Sequence, residues 1–148
     1  MRVEVIDETD RFRHPEVLER ALSRLGRELG AGERDVTIVL VDDETIAARN
    51  LADRDVEGPT DVLAYPLHEP DDVGLPIVPT LGDILISLDT AERQAPDHGL
   101  DTRQEVLVLA AHGLTHLLGH DHPDPDSWSA FETAQARVLE LTAEDDHG

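Results

Sequence analysis

Cysteine is absent from this sequence of 148 residues, so disulfide bonds and thiolate metal ligands are both excluded. Lysine is absent as well. All 12 basic side chains are arginines, against 33 aspartates and glutamates, and the formal net charge is −21. A charge this negative repels nucleic acid at long range. We therefore expect a solvated acidic surface, and any RNA-binding site must work against that charge.

Long apolar runs are also missing. The N-terminal segment lacks the apolar core of a signal peptide, and no run approaches the length of a membrane span. We therefore expect a cytoplasmic protein with no membrane partner. We predict one domain over residues 1–148, which at this length buries roughly two thirds of its unfolded surface. The acidic tail at about 143–148 is expected to be flexible.

The pattern of apolar residues predicts a small sheet flanked by helices. Strands are predicted at residues 2–6, 36–41, 61–65 and 81–87. Apolar residues at helical spacing predict a first helix carrying Val17, Leu18, Ala21, Leu22, Leu25 and Leu29. Helices and strands alternate along most of the chain, which indicates an α/β or α+β fold with a single sheet.

Helix starts are predicted from capping residues. Asp42 or Asp43 is expected to cap a helix carrying Ile46, Ala47 and Leu51, followed by an irregular segment over 50–60. A long loop is predicted over 66–80, and Asp89 is expected to cap the helix after the last strand. Ser127 or Ser129 is expected to cap a final helix that buries Phe131, Ala134, Val138 and Leu141.

The residues with the most specific chemistry lie in segment 110–122, which contains the pattern His-x-x-x-His-x-x-Gly-x-x-His. An apolar lead-in and a Thr102-x-x-Glu105 capping box predict a helix here. His112 and His116 then lie one turn apart, about 40° from each other around the axis. Gly119 suits a left-handed turn that ends the helix. Three imidazoles and a water are typical of a catalytic zinc centre, so we predict one zinc ion near the end of this helix.

Two histidines follow Gly119, so the third ligand is ambiguous. His120 would continue the helical stagger only if the helix continued, and Gly119 predicts that it stops. We therefore prefer His122 as the third ligand, with His120 nearby, either behind the ligands or facing the substrate. Asp121 is able to orient an imidazole through its N–H group.

The same spacing occurs in the zinc proteases called metzincins, which carry a glutamate directly after the first histidine as general base. Gly113 occupies that position here, and the methionine turn of those proteases is excluded because Met1 is the only methionine. A second alternative is a structural metal in a non-catalytic binding module. If His112, His116, His120 and His122 all bound one ion, no water would remain for hydrolysis.

Taken with two further segments, this motif resembles the YbeY family of metal-dependent endoribonucleases. The family signature is similar to His-Gly-x-Leu-His-Leu-x-Gly-Tyr-Asp-His, and residues 112–122 match it with Thr115 for a leucine and His120 for a tyrosine. Residues 59–65 resemble its Pro-Thr-(Asp/Asn)-Val-Leu-Ser-Phe strand, with Ala64-Tyr65 for Ser-Phe, and follow an arginine, Arg54. Residues 81–84 resemble its Leu-Gly-Asp-Ile strand.

The resemblance implies a zinc-dependent, single-strand-specific endoribonuclease that processes the 3′ end of 16S rRNA and takes part in ribosome quality control. Its partners would be rRNA and the small ribosomal subunit, with ribosomal proteins or an assembly GTPase. The resemblance implies that His112, His116 and His122 bind zinc.

Arg54 has two interpretations. Neighbouring Asp53, Asp55 and Glu57 make a surface ion pair the simpler interpretation from the residues alone, whereas the resemblance implies a contact with RNA phosphate. Asp83 is expected either to accept a hydrogen bond from a ligand histidine or to fix the local backbone. The general base is not identified: Asp121, His120 and a ribose 2′-hydroxyl acting as the nucleophile all remain open.

Overall fold

A computed structural model of the chain describes residues 1–67, 80–120 and 125–146. The described residues form one four-stranded sheet and five α-helices, as expected from the sequence. In chain order these are β1 (Arg2–Asp7), α1 (Pro15–Glu28), β2 (Asp35–Val41), α2 (Asp43–Arg54), β3 (Val62–Pro66), β4 (Thr80–Ser87), α3 (Leu88–Gln94), a short 3₁₀ turn (Pro96–His98), α4 (Thr102–Leu117) and α5 (Pro125–Asp146).

The sheet is mixed, with strand order β1-β2-β4-β3. Strands β1, β2 and β4 are parallel, and β3 pairs antiparallel with β4. Side chains alternate between the two faces of a strand. Ile84 and Ile86 of β4 therefore face the main core formed with α1, α4 and α5, while Leu85 packs on the other face with Ile46 of α2. The predicted fold class, a small mixed sheet flanked by helices, is confirmed.

The apolar faces of the first and last helices are buried much as their spacing predicts. In α1, five of the six predicted positions are buried, and Leu29 lies just beyond the helix and is exposed. In α5, the four predicted residues Phe131, Ala134, Val138 and Leu141 are all buried. Helix α4 lies between α5 and β4, so its two sides are covered by the core.

Helix α2 is longer than the sequence indicated. Asp42 caps it as predicted, but the helix continues to Arg54, so the prediction of irregular chain from residue 50 was wrong for its first turn. The buried position in that turn is Asn50, whose Nδ2 donates to the carbonyl oxygen of Gly58 at 3.0 Å. Leu51, one of the three apolar residues predicted on this helix, is 52% exposed. A polar side chain is buried here because it holds the segment that follows the helix.

Three other helix starts differ from prediction. Helix α4 is capped by Asp101 and Gln104 rather than by Thr102 and Glu105. Asp101 accepts from the backbone N–H of Gln104, and Gln104 accepts from that of Asp101. Glu105 is instead buried and paired with His98. Ser87, not Asp89, caps α3. Helix α5 begins at Pro125, before either predicted serine.

Two predicted features lie partly outside the described residues. The predicted loop over 66–80 falls mostly on residues 68–79, and residues 147–148 of the predicted flexible tail are also outside. Helix α5 extends into that acidic tail, to Asp146. None of the helices in the described ranges combines the length and apolar character needed to cross a membrane.

Candidate metal centre

His112 and His116 lie one turn apart on α4, as their spacing predicts, with ring centroids 4.9 Å apart and ring planes at 70°. Both side chains are half-buried and line a cleft of about 230 Å³. Strand β3 lines the same cleft through Val62, Leu63, Ala64 and Pro66. The cleft therefore presents two imidazoles at a partly apolar wall, the kind of surroundings in which neutral imidazole serves as a metal ligand.

Phe131 of α5 packs against both imidazoles. Its ring stacks on His112 at a centroid distance of 4.5 Å and an interplanar angle of 26°, and it lies 4.7 Å from the ring of His116. The sequence predicted Phe131 as core only. Its role beside the histidines was missed because helical spacing shows that a residue faces the core but not which residue of another helix it meets.

Helix α4 ends in the left-handed turn predicted at Gly119, which has φ 102°. The N–H of Gly119 donates to the carbonyl oxygen of His116 at 3.0 Å, and that of His120 donates to Thr115 at 3.3 Å. These two bonds form a Schellman motif, which uses the carbonyl groups that the helix end leaves unpaired. The chain thereby turns away from the helix axis just before residue 121.

The predicted third ligand, His122, lies outside the described residues, as does Asp121. Within the ranges that the structure describes, no group of three or more His, Cys, Asp or Glu side chains could hold a metal ion. The described pair of imidazoles has donor chemistry that suits zinc, and the assignment of His112 and His116 as ligands stays a prediction. The assignment of His122 stays a prediction.

His120 lines a different cavity from His112 and His116. Its Nδ1 is 3.2 Å from Oγ of Ser127, and its side chain lines a separate cavity together with Thr115 and Leu118. The expectation that His120 stands behind the ligands or faces the substrate stays a prediction, because His122 lies outside the described residues. The glycine turn rotates the chain after Leu118, so His120 does not continue the stagger of His112 and His116.

Arg54 lies at the cleft. It is the last residue of α2, and its Nη2 donates to the carbonyl oxygen of Ala64 at 2.9 Å. In the described parts of the chain no acidic side chain forms an ion pair with Arg54, because Asp53 instead accepts from Arg49 and from Tyr65. The interpretation of Arg54 as a surface ion pair is therefore not what the structure shows. Arg54, His112 and His116 come together from two different helices.

Tyr65 organises the charged groups beside Arg54. Its hydroxyl donates to Oδ2 of Asp53 at 2.8 Å, and the guanidinium carbons of Arg49 and Arg54 lie 4.9 and 5.7 Å from its ring centroid. Burial, together with the hydrogen bond to Asp53, raises the pKa of Tyr65 above its ordinary value. The phenol is therefore protonated at neutral pH and cannot act there as a base.

Asp83 points away from the histidines. It lies on β4 between Gly82 and Ile84 and is exposed, while the Ile84 side chain faces α4. Since successive side chains alternate across the sheet, Asp83 is on the opposite face from His112 and His116. Of the two roles expected for Asp83, a hydrogen bond to His112 or His116 is therefore not what the structure shows, and a role in fixing the local backbone stays a prediction.

Gly113 is buried where α4 crosses β4, and a β-carbon there would lie 2.7 Å from Cγ2 of Ile84. The position that carries the general-base glutamate in metzincins therefore faces the sheet in this chain and has no room for a side chain. This packing removes the structural basis for the protease alternative.

A family model described as Endoribonuclease YbeY matches residues 3–143. The chain belongs to the YbeY family. Endoribonuclease YbeY of Thermus thermophilus is 49% identical over 124 residues, covering 84% of this chain and 88% of that protein. Endoribonuclease YbeY of Deinococcus radiodurans is 48% identical over 117 residues, covering 79% and 74%. The resemblance drawn from three short motifs is thus confirmed over most of the chain.

The fold is also similar to a solved structure. The solution structure of TM1509 from Thermotoga maritima matches with a TM-score of 0.65 at 23% identity, covering 97% of this chain and 93% of that one. At this level of identity the likeness shows the fold alone.

The structure accounts for one departure from the YbeY signature. Thr115, which stands for the usual leucine, is buried, and its hydroxyl donates to the carbonyl oxygen of Ala111 at 2.8 Å. The buried hydroxyl is thereby hydrogen-bonded within the helix, so the polar substitution leaves no unpaired group in the core.

Proposed function

We propose that this chain is a zinc-dependent endoribonuclease that cleaves single-stranded RNA. The observation that carries this proposal is the shared cleft, where Arg54 of α2 lines the same cavity as His112 and His116 of α4. A cationic group that binds phosphate and a pair of metal-ligating imidazoles are the parts that phosphodiester cleavage requires. The relatives from Thermus thermophilus and Deinococcus radiodurans are named Endoribonuclease YbeY, which supports RNA as the substrate.

His112 and His116 hold the metal through neutral imidazole, with His122 as the third ligand and one ion per chain. When bound, zinc supplies Lewis acidity that polarises a phosphoryl oxygen and lowers the pKa of water. Phe131 covers one side of both rings and keeps bulk water from that side.

Arg54 binds the scissile phosphate. Its hydrogen bond to the Ala64 carbonyl oxygen holds the guanidinium at the mouth of the cleft and leaves further N–H donors for phosphate oxygens. The guanidinium fits phosphate in a bidentate way, and its charge opposes the negative charge that develops on the phosphoryl oxygens. Arg54 therefore provides a local positive charge at the scissile phosphate, although the net charge of the chain is −21.

The attacking oxygen comes from water or from the ribose 2′-hydroxyl. His120 is not its base in this account, because that side chain lines the separate cavity with Thr115. Attack by the 2′-oxygen on phosphorus expels the 5′-oxygen and leaves a 2′,3′-cyclic phosphate. Attack by water leaves no cyclic product, so the ends of the fragments identify the nucleophile.

In the cell, the substrate would be the 3′ end of 16S rRNA on the small ribosomal subunit, and the enzyme would act in the cytoplasm, with a role in ribosome quality control. Ribosomal proteins or an assembly GTPase would be its partners. A protein of net charge −21 is poorly suited to capture free RNA by long-range attraction. Presentation of the RNA by a ribosomal complex is consistent with that charge.

The competing function is a non-catalytic binding module that uses a closed four-histidine metal site. The position of His120 argues against it, because its ring contacts Ser127 rather than the imidazole pair. A three-histidine site leaves a coordination position for water or substrate. A count of bound imidazoles by X-ray absorption on the zinc protein separates the two, with three expected for the nuclease.

The experiment is cleavage of an end-labelled RNA, single-stranded or annealed to its complement, by zinc-loaded protein. We expect cleavage of the single strand by the wild type and none by His116→Ala. The matched control is His14→Asn, which removes an exposed imidazole outside the cleft and tolerates the left-handed backbone at that position. Equal cleavage by His116→Ala would contradict the proposal. A wild type that holds one zinc but cleaves neither RNA nor ribosomal subunits would support the binding module.

A further inference from the structure

Gln135 of α5 contacts the ring of His112. Its Nε2 lies 3.1 Å from Nδ1 of His112. Gln135 follows Phe131 by one helical turn, and Phe131 stacks on the same ring at 4.5 Å. Helix α5 therefore holds the imidazole of His112 twice, by a stacked face and by a polar contact at one nitrogen. The first contact fixes the ring plane, and the second fixes the rotation within it.

The polar contact distinguishes the two ring nitrogens. A histidine that binds a metal through one nitrogen carries a hydrogen on the other, and that hydrogen requires an acceptor. The oxygen and nitrogen of a glutamine amide exchange places by a half-turn, so Gln135 is able to present Oε1 to Nδ1–H of His112. Ligation through Nδ1 would instead break the contact with Gln135.

We propose that Gln135 is a positioning residue for the metal site, which accepts a hydrogen bond from Nδ1–H of His112 and thereby directs Nε2 of that ring to the metal. This inference rests on the proposed metal site. It adds a residue from α5 to a site otherwise built on α4 and the segment after it. The contact also raises the basicity of the ligating nitrogen, as acceptors behind metal-binding histidines do.

The test is zinc affinity, measured by competition with a chromophoric chelator on the full chain. Gln135→Leu removes the acceptor, and we expect affinity to fall about 10–100-fold. Gln135→Glu keeps an acceptor and cannot donate when ionised, so it should bind zinc at least as tightly as the wild type. Thr133→Leu, at an exposed position of the same helix, is the matched control and should retain wild-type affinity.

A second measurement requires no variant. The ¹⁵N resonances of the His112 ring in the zinc-bound wild type should show a protonated Nδ1 and a metal-bound Nε2. Metal at Nδ1 would overturn the inference, as would Gln135→Leu with wild-type affinity or Gln135→Glu as weak as Gln135→Leu. Failure of the wild type to bind zinc would overturn the metal site itself. Normal wild-type binding with an unaffected Gln135→Leu would overturn only the role of Gln135.

Discussion

Gly113 of α4 lies against Ile84 of β4 so closely that a β-carbon on the glycine would be 2.7 Å from Cγ2 of Ile84. This contact sets the distance of α4 from the sheet. The neighbouring residue, His112, lines the cleft that strand β3 also lines. Gly113 thus allows α4 to pack closely on the sheet, and this packing places the imidazole of His112 at the cleft.

Substitution of Gly113 by alanine should destabilise the fold. The added methyl group overpacks the helix against the sheet, at a cost of about 1–3 kcal/mol. Gly26→Ala is the matched control, because Gly26 also lies in a helix, and a β-carbon there would overlap Sδ of Met1, an unbranched terminal side chain that is able to turn aside. That variant should be neutral, or more stable by up to about 1 kcal/mol from helix propensity. Urea unfolding measures both, and a Gly113→Ala protein as stable as the wild type would show that the contact is not tight.

Loss of the Arg54 side chain should reduce catalysis without affecting folding. Arg54→Ala removes a charged donor from the cleft, and we expect kcat/KM on single-stranded RNA to fall about 10²–10³-fold. Arg54→Lys keeps the charge but loses the bidentate geometry, so its kcat/KM should lie between the values for the wild type and Arg54→Ala. Arg137→Ala removes an arginine paired with Glu28, away from the cleft, and should cleave like the wild type. Wild-type cleavage by Arg54→Ala would contradict the phosphate contact.

The two histidines after Gly119 should differ in their effect on metal binding. His120→Ala should retain one zinc per chain, because His120 contacts Ser127 and lines the other cavity. His122→Ala should lose stoichiometric zinc, as the family signature implies for the third ligand. Zinc content after gel filtration measures both variants. If only His120→Ala lost its zinc, the third ligand would be His120 and not His122.

The contact between His98 and the buried Glu105 should make stability depend on pH. Nδ1 of His98 lies 2.9 Å from the Glu105 carboxylate, which is 1% exposed, and this hydrogen bond raises the pKa of His98. A pKa raised by folding stabilises the protein fully below the unfolded value of about 6.5, and that contribution is lost as pH rises through the folded pKa.

His98→Ala should therefore be less stable than the wild type by at most about 1 kcal/mol near pH 5.5, a modest value because the His98 side chain is 53% exposed and the pair is screened by solvent. The difference should shrink by pH 9. Urea unfolding at the two pH values, with His14→Asn as the control, measures this effect. A difference that grew with pH would contradict the assigned sign.

The sequence predicted those features of the candidate site that depend on a single helix. The spacing of His112 and His116 and the turn at Gly119 both depend on the geometry of one helix, so the structure agrees with them. Phe131 and Gln135 were not predicted as site residues, because their contacts with His112 depend on how α5 lies across α4. Helical periodicity indicates which face of α5 is buried, but not its rotation and register against another helix.

Two errors in the fold have a similar origin. The capping box of α4 was predicted at Thr102 and Glu105 but is formed by Asp101 and Gln104, and Glu105 is instead buried beside His98, a contact made across a turn. At the end of α2, Asn50 is buried and Leu51 is exposed because the amide of Asn50 holds the carbonyl of Gly58. From polarity alone, Leu51 would be expected to be buried and Asn50 to be exposed. Contacts between segments decided both cases.

The central claim is that RNA cleavage takes place at the histidine pair and requires zinc there. The most direct measurement is a titration of metal-free protein with zinc, in which bound zinc and the rate of single-stranded RNA cleavage are measured on the same samples. We predict that the rate rises in proportion to bound zinc, reaches its limit at one ion per chain and is absent from His116→Ala at every point. Cleavage by the metal-free wild type, or by His116→Ala at the wild-type rate, would contradict the account.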